Sequence, residues 1–147
     1  PPRSTLFPYT TLFRSPMLLE KNLKCELEIA PDTMIKCDVN KMQRVFDNLL
    51  RNAVNYSFDD STIHIAVKQN GENLCIQFTN CGNTIPKEKL VRIFEQFYRL
   101  DVARSSRSGG AGLGLAIAKE IVELHNGTIT AKSENEQIEF TVTLPLL

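Results

Sequence analysis

Three asparagines recur on one side of the most strongly periodic segment of this sequence. Asn48, Asn52 and Asn55 fall on a narrow stripe when residues 40–57 are placed on a helix of about 3.6 residues per turn. Asparagine competes for backbone hydrogen bonds, so three on one stripe are unusual. A solvated polar edge would account for them. Alternatively, their neutral amide oxygens suit a hard cation that already carries phosphate and water, typically Mg²⁺.

A glycine-rich run opens directly into another periodic segment. Residues 109–115 are Gly-Gly-Ala-Gly-Leu-Gly-Leu, and glycines permit positive φ and close backbone approach. The N-terminus of the following helix offers unpaired N–H groups and a positive dipole end, which suit a phosphate. No strand directly precedes the run and no Gly-Lys-Ser/Thr ending closes it, so it is neither a dinucleotide fingerprint nor a P-loop. A flexible linker ahead of a helix is the alternative interpretation.

Two further segments stand between the asparagines and the glycines. Residues 80–85, Asn-Cys-Gly-Asn-Thr-Ile, form a small-residue turn after a strand, and residues 93–99 are rich in phenylalanine. Neither segment requires a function when it is taken alone. All four features in this order are improbable by chance.

Periodicity predicts the elements that position these residues. Alternation predicts a half-buried strand over 24–30, with Cys25, Leu27 and Ile29 on one face, and a short second strand over 34–37. Asp38 is a candidate N-cap for a helix over 40–57. The apolar arc of that helix comprises Met42, Val45, Phe46, Leu49, Leu50, Ala53 and Val54.

The second half of the chain predicts a hairpin, two more helices and two more strands. Asn70-Gly71 marks the turn between two alternating strands. Pro86 fits the first turn of a short helix that carries Leu90, Ile93, Phe94 and Phe97. A third helix over 113–124 ends at Asn126-Gly127, and strands follow over 128–133 and 138–144. The fold class is therefore α+β: a two-layer sandwich in which three helices cover a mixed, mostly antiparallel sheet.

Composition excludes several functional classes. Seventeen Lys+Arg balance seventeen Asp+Glu, which argues against a basic nucleic-acid-binding module. No apolar run approaches the ~20 residues that span a bilayer, so we expect a soluble chain. None of the four cysteines forms a Cys-x-x-Cys pair, so reduced thiols are expected rather than zinc ligands.

The first sixteen residues differ in composition from the rest. Residues 1–16 contain no acidic residue, several prolines and two copies of Thr-Leu-Phe. They lack the initiating Met and the continuous apolar stretch of a signal peptide. We interpret them as a non-native or disordered leader, and the domain proper as residues 17–147.

From about residue 17 to residue 147 the chain resembles the catalytic ATP-binding domain of sensor histidine kinases, in the superfamily that includes DNA gyrase and the Hsp90 chaperones. Residues 47–57 resemble its N box, 80–85 its first glycine box, 93–99 its F box and 110–115 its second glycine box. Within the family, residues 98–121 are most similar to the VanS-type vancomycin-resistance sensors.

The resemblance implies the Bergerat fold, a left-handed βαβ sandwich that holds ATP and Mg²⁺ between the N-box helix and a mobile lid. Asn52 would be the catalytic residue that coordinates Mg²⁺, with Asn48 assisting. Residues 101–112 would form the lid, which we expect to be mobile without nucleotide. The remaining expected nucleotide-binding residues are Asn55, Tyr56, Asn80, Gly82, Ile85, Phe97, Arg99, Arg104, Arg107, Gly110, Gly112, Leu113, Gly114 and Leu115.

The chain departs from the family pattern at three positions. The family usually has Asp where Asn80 stands, often Gly where Thr84 stands, and often Lys or Arg where Asn55 stands. An amide oxygen accepts a hydrogen bond from the adenine amino group more weakly than a carboxylate does. Thr84 would restrict its turn. We therefore expect weaker ATP binding than in a typical member.

The N-box residues favour phosphoryl transfer over hydrolysis. Hydrolytic relatives place a glutamate base one helical turn before the Mg²⁺-binding asparagine, and Asn48 cannot accept a proton. A histidine acceptor needs no such base, because a neutral imidazole nitrogen is already nucleophilic. A gyrase-type ATPase is therefore disfavoured.

The phosphoacceptor is not evident in this chain. His64 lies on a predicted strand and His125 at a helix end, and neither has the phosphoacceptor-box context. The resemblance implies a histidine-bearing dimerisation domain of the parent chain, a response regulator as partner, and a cytoplasmic domain of a membrane-anchored dimeric sensor. A nucleotide-dependent interaction module without productive transfer is the alternative.

Overall fold

A computed structural model describes residues 16–30, 33–100 and 112–146. Four helices lie within these ranges: α1 (Pro16–Glu20), α2 (Val39–Tyr56), α3 (Lys87–Leu90) and α4 (Gly114–Leu124). The five strands are β1 (Lys24–Ile29), β2 (Thr62–Asn70), β3 (Asn73–Cys81), β4 (Thr128–Glu134) and β5 (Gln137–Pro145).

The strands form one mixed sheet in the order β1-β2-β3-β5-β4. β1 runs parallel to β2, which requires the crossover through α2, and the other three pairings are antiparallel. Alternate residues of β2, β3 and β5 are buried and form the core with the apolar side of α2. The predicted α+β sandwich with a mostly antiparallel sheet is confirmed.

Helix α2 follows its sequence pattern closely. Asp38 is the N-cap, and its Oδ1 accepts a hydrogen bond of 3.0 Å from the backbone N–H of Lys41. Every residue of the predicted apolar arc is buried. This burial orients the helix, so that the asparagine stripe lies along the margin of the core.

The prediction of a half-buried first strand is wrong for most of its length. Cys25 is partly buried, but Leu27 and Ile29 are 46% and 41% exposed. These residues pair with buried positions of β2 and share their face. However, α2 packs over β3 and α4 packs on α2 and β4, so the helical layer leaves the edge strand uncovered.

The predicted short strand over 34–37 is also wrong, because this segment forms no ladder. Ile35 and Cys37 are partly buried, whereas Met34 and Lys36 are exposed. An extended segment that packs alternate side chains on the core produces the same sequence pattern as a strand.

The short helix after Pro86 is shorter than predicted. α3 is a single turn, and Pro86 precedes it as the N-cap. The next turns are closed by i→i−3 hydrogen bonds at Arg92, Ile93 and Glu95. Phe97 therefore lies outside the helix.

The start of the described chain is attached to the domain core. Pro16 begins α1, and Leu18 is 8% exposed in the core. The Lys21 ammonium donates hydrogen bonds to the carbonyl oxygens of Val54 and Asn55, at 2.8 and 3.3 Å, and so caps the end of α2. Residues 1–15 of the predicted leader lie outside the described residues. Within the described part of the chain, no helix has the length and hydrophobicity needed to cross a bilayer.

Candidate functional site

The end of α2 lies directly against the first glycine box. A Cβ on Gly82 would lie only 2.0 Å from the carbonyl oxygen of Tyr56, so only glycine allows this approach. The backbone N–H of Phe58 donates to the carbonyl oxygen of Cys81 at 2.8 Å and ties the same two segments together. Tyr56 is thereby placed next to the end of β3.

The turn between β4 and β5 holds the first glycine box in place. The backbone N–H of Glu136 donates to Thr84 Oγ1 at 2.8 Å, and the N–H of Ile85 donates to Ser133 Oγ at 2.9 Å. Glu136 also accepts from the N–H of Gly82 at 3.0 Å. Sequence periodicity does not predict these contacts, and their only local signal is the turn residue Asn135.

Thr84 adopts its turn without a left-handed backbone. It is not among the described non-glycine residues with positive φ, so its backbone does not need glycine. Its hydroxyl oxygen instead accepts a hydrogen bond from Glu136 that a glycine could not provide. Thr84 thus fits this turn and adds a hydrogen bond to it.

Two of the predicted site asparagines carry buried amide groups with open hydrogen-bonding capacity. Asn80 is 2% exposed, in line with the buried residues of β3. Asn52 is partly buried on the stripe of α2. Within the described residues, Nδ2 of each amide is buried and has no hydrogen-bond partner. An unpaired buried polar group costs about 1–3 kcal/mol, so both positions favour a polar ligand.

The N-terminus of α4 meets the asparagine stripe one turn before Asn52. A Cβ on Gly114 would lie 3.3 Å from Asn48 Oδ1, so the glycine lets the helix end approach the amide. The N-cap residue Leu113 makes no side-chain cap hydrogen bond, and the first turn carries no acidic residue. Among the described residues, no side chain caps this helix start, so the first-turn N–H groups and the dipole of α4 suit an anion beside Asn48.

The F-box segment lies between these two glycine boxes. The ring of Phe94 packs edge-on against Phe140 of β5, with 6.0 Å between ring centroids. Phe97 has a positive φ of 66°, and its N–H donates to the carbonyl oxygen of Gly112 at 2.8 Å. The F box thus reaches the second glycine box through the backbone.

A family model described as "Histidine kinase-, DNA gyrase B-, and HSP90-like ATPase" matches residues 37–147. The chain belongs to this ATPase family. The family match covers every structural feature of the site given above, from α2 to the start of α4.

Curated relatives within the family include sensor proteins of enterococci. The chain is 45% identical to "Sensor protein VanSC" of Enterococcus gallinarum, over 88% of this chain and 36% of the relative. It is 47% identical to "Sensor protein VanS" of Enterococcus faecium, over 90% of this chain and 34% of the relative. The chain thus spans about a third of the length of these relatives.

Solved structures of the family share the fold. The catalytic domain of histidine kinase ThkA in a nucleotide-free form gives a TM-score of 0.81 at 22% identity, over 96% of this chain and 90% of that one. ThkA in complex with the response regulator protein TrrA gives 0.77 at 21% identity, over 97% of this chain and 40% of that one. The predicted family and fold are confirmed.

Most of the predicted site residues of this family member fall within the described structure. Two contact zones hold them: Tyr56, Gly82 and Asn80 at one end of the stripe, and Asn48, Leu113 and Gly114 at the other. Of the remaining described residues of the prediction, Ile85 is buried, Phe97 is exposed, and the others are partly buried: Asn52, Asn55, Arg99, Gly112 and Leu115. Arg104, Arg107 and Gly110 lie outside the described residues, as do residues 101–111 of the lid predicted over 101–112.

The two histidines have structural surroundings. His64 lies on the outer face of β2, 3.2 Å from a Glu26 carboxylate oxygen. His125 Nδ1 contacts the Ile121 carbonyl oxygen at 2.8 Å, and its Nε2 accepts a 3.1 Å hydrogen bond from the backbone N–H of Asp38. His125 thus connects the end of α4 to the start of α2.

The donor set fits a nucleotide with its magnesium ion. The asparagine side chains offer neutral oxygens of the kind that Mg²⁺ accepts beside phosphate. The α4 N-terminus offers N–H donors for the phosphates, and the unpaired amide of Asn80 offers a polar partner for a base. From Asn48 to Tyr56 the helix rises by about 12 Å, on the scale of a nucleoside triphosphate.

Proposed function

We propose that this chain is the ATP-binding catalytic domain of a VanS-type sensor histidine kinase. It binds Mg²⁺-ATP along α2 and presents the γ-phosphate to a histidine on a separate dimerisation domain. The observation that carries the proposal is the approach of Asn48 Oδ1 to the uncapped N-terminus of α4 at Gly114. A neutral amide and a helix N-terminus lie next to each other here, and this combination suits a triphosphate with its cation.

Each part of the site has a distinct task in this proposal. Asn52, assisted by Asn48, would hold Mg²⁺, which would neutralise phosphate charge. The first-turn N–H groups of α4 orient the terminal phosphates. Tyr56 and Asn80 hold the base end, on a turn that is fixed by the β4–β5 connection. Positioning and charge neutralisation are the main demands of phosphoryl transfer.

Transfer to histidine is favoured over hydrolysis because Asn48 provides no base. Its amide cannot take a proton from an attacking water, and Asn52 on the same stripe is also neutral. An imidazole nitrogen needs no deprotonation before it attacks. We therefore expect the chain alone to hydrolyse ATP slowly and to lack autophosphorylation.

The partners and location follow from the same proposal. The acceptor histidine would belong to a dimerisation domain of the parent chain, and the phosphate would pass to a response regulator aspartate. The relatives named as sensor proteins and the ThkA complex with a response regulator support these partners. The parent would be a membrane-anchored dimer with this domain in the cytoplasm.

Calorimetric titration with ATP, with and without Mg²⁺, tests the binding site. We expect saturable, Mg²⁺-dependent binding that Asn52→Ala weakens by about tenfold or more. The matched control is Asn40→Ala, the same change at an exposed position in the first turn of the same helix. Equal affinities of the Asn52→Ala variant and the native chain would remove Mg²⁺ from this stripe.

A transfer assay tests the reaction. A histidine-bearing dimerisation domain from an enterococcal VanS relative is supplied in trans with γ-labelled ATP. We expect label on the dimerisation domain only when this chain is present. When this chain is incubated with ATP but without the dimerisation domain, we expect phosphate to be released slowly. Binding of ATP without transfer would favour the nucleotide-dependent interaction module, and rapid phosphate release would favour a hydrolase.

A further inference from the structure

We propose that Asn80 makes the base site accept 6-oxopurine nucleotides, such as ITP, nearly as well as ATP. The inference rests on the proposed function and concerns the nucleotide class taken by the same site. It starts from one difference: an amide stands at the buried base end where a carboxylate would offer acceptors alone.

The surroundings of Asn80 leave one of its amide donors without a protein partner among the described residues. The residue follows Phe78 on the core face of β3 and is 2% exposed. Its Nδ2 is buried and has no hydrogen-bond partner among the described residues. Gly82, two residues later, has no side chain and lies against the Tyr56 backbone. The amide is therefore a donor that a ligand atom can satisfy.

The hydrogen-bonding edge of the purine determines which of its atoms pairs with the Asn80 amide. Adenine presents a 6-amino donor beside the N1 acceptor, whereas hypoxanthine and guanine present a 6-oxo acceptor beside an N1–H donor. An amide has a donor and an acceptor side by side, as in its bidentate pairing with adenine edges. Rotation of the Asn80 amide by 180° exchanges the positions of its NH₂ donor and its oxygen acceptor. One side chain therefore matches both 6-amino and 6-oxo purines.

A carboxylate at the same position would not do this. With the base in one pose, a carboxylate accepts from the 6-amino group of adenine but faces the 6-oxo oxygen of hypoxanthine, acceptor against acceptor. A site whose buried polar group is left unpaired discriminates strongly against the wrong ligand. The residue type at position 80 therefore sets the selection between amino and oxo purines.

The test compares Mg²⁺-ATP and Mg²⁺-ITP binding by calorimetry, because ITP changes the 6-position and leaves position 2 unsubstituted. For the native chain we expect affinities within about tenfold of each other. For Asn80→Asp we expect the preference for ATP to rise by at least about tenfold. Using the ratio cancels the effect of the added negative charge on the phosphates, which both nucleotides share.

The matched control is Asn73→Asp, the same chemical change at the exposed start of the same strand. Its ratio of ATP to ITP affinity should equal that of the native chain. A native preference for ATP of more than about tenfold, or a ratio that Asn80→Asp leaves unchanged, overturns the inference and leaves the proposed function standing. Absence of binding to either nucleotide by the native chain overturns both. If Asn80→Asp does not fold, the native ratio decides alone.

Discussion

The backbone N–H of Phe97 donates a 2.8 Å hydrogen bond to the carbonyl oxygen of Gly112, and both residues have positive φ, 66° and 78°. This bond joins the F box to the second glycine box across the intervening segment. A phenylalanine in the left-handed region costs of order 1 kcal/mol or more, and this side chain is 68% exposed. The backbone geometry, rather than burial of the ring, accounts for the local conformation.

Substitution of Gly112 should therefore weaken nucleotide binding. A Cβ there would lie 2.8 Å from Phe97 Cα and C, which are backbone atoms that cannot move aside without shifting the turn. We expect Gly112→Ala to lower Mg²⁺-ATP affinity by about tenfold or more in calorimetry, because the start of α4 is displaced from Asn48.

Gly71 provides the matched control for this change. Its φ of 63° is similarly positive, but a Cβ would meet nothing within 4 Å. Gly71→Ala should cost about 1 kcal/mol of folding stability through backbone strain and leave ATP affinity unchanged. Similar losses of affinity in both variants would indicate general destabilisation and contradict the role of the Phe97–Gly112 contact.

His125 should contribute to stability rather than to chemistry. It connects the last turn of α4 to the backbone N–H of Asp38, the N-cap of α2. Replacement by alanine removes this hydrogen bond between the two helices, and water takes the place of the acceptor at the exposed N–H. We expect His125→Ala to lower the free energy of urea unfolding by about 1–2 kcal/mol.

His64→Ala is the control for His125. His64 and its partner Glu26 have side chains that are 58% and 65% exposed, and exposed pairs contribute little. We expect a change within about 0.5 kcal/mol. An effect of His64→Ala as large as that of His125→Ala would be inconsistent with this assignment of roles.

The local parts of the site could be predicted, because their causes lie within one segment. Asp38 caps the N–H of Lys41 three residues away, and the apolar arc of α2 spans one continuous helix. That arc fixes the orientation of the asparagine stripe. The glycine-rich entry to α4 is equally local, since a helix N-terminus carries its own donors.

The long-range parts could not be predicted from periodicity. The hydroxyl oxygen of Thr84 accepts a hydrogen bond from the backbone N–H of Glu136, which lies 52 residues further along the chain. Alternation predicts the face of the sheet on which Leu27 lies. It does not predict that the helices leave the edge strand uncovered, so that Leu27 is exposed. The spacing of Phe97 predicts a helical position, yet its backbone N–H donates a hydrogen bond to the carbonyl oxygen of Gly112, fifteen residues further along the chain.

Alkaline pH should destabilise the fold through two thiols. Burial raises the pKa of the Cys25 thiol, and burial followed by the nearby Asp38 charge raises the pKa of Cys37. The folded state therefore holds these protons more tightly than the unfolded chain, whose thiols ionise near pH ~8.5. The stabilisation is complete below that pH and is lost as pH rises through the raised folded-state pKa values.

Urea unfolding between pH 7.5 and 10 measures this effect. The unfolding free energy of the native chain should fall above about pH 8.5. In a Cys25→Ser, Cys37→Ser double variant, the unfolding free energy should fall less between pH 7.5 and pH 10 than it does in the native chain. An identical alkaline loss in both proteins would assign it to other groups.

Gly114→Ala should separate nucleotide binding from folding. Alanine is a better helix former than glycine, so the stability of α4 should not decrease. The added Cβ would lie 3.3 Å from Asn48 Oδ1 and displace that amide. We therefore expect unchanged or slightly higher stability in urea together with a severalfold loss of Mg²⁺-ATP affinity.

If the alanine acts through Asn48, it should have little further effect in an Asn48→Ala background, because contacting residues are non-additive. Calorimetry on the four proteins of this cycle measures the coupling. Strictly additive losses would show that Gly114 contributes to the site independently of the amide.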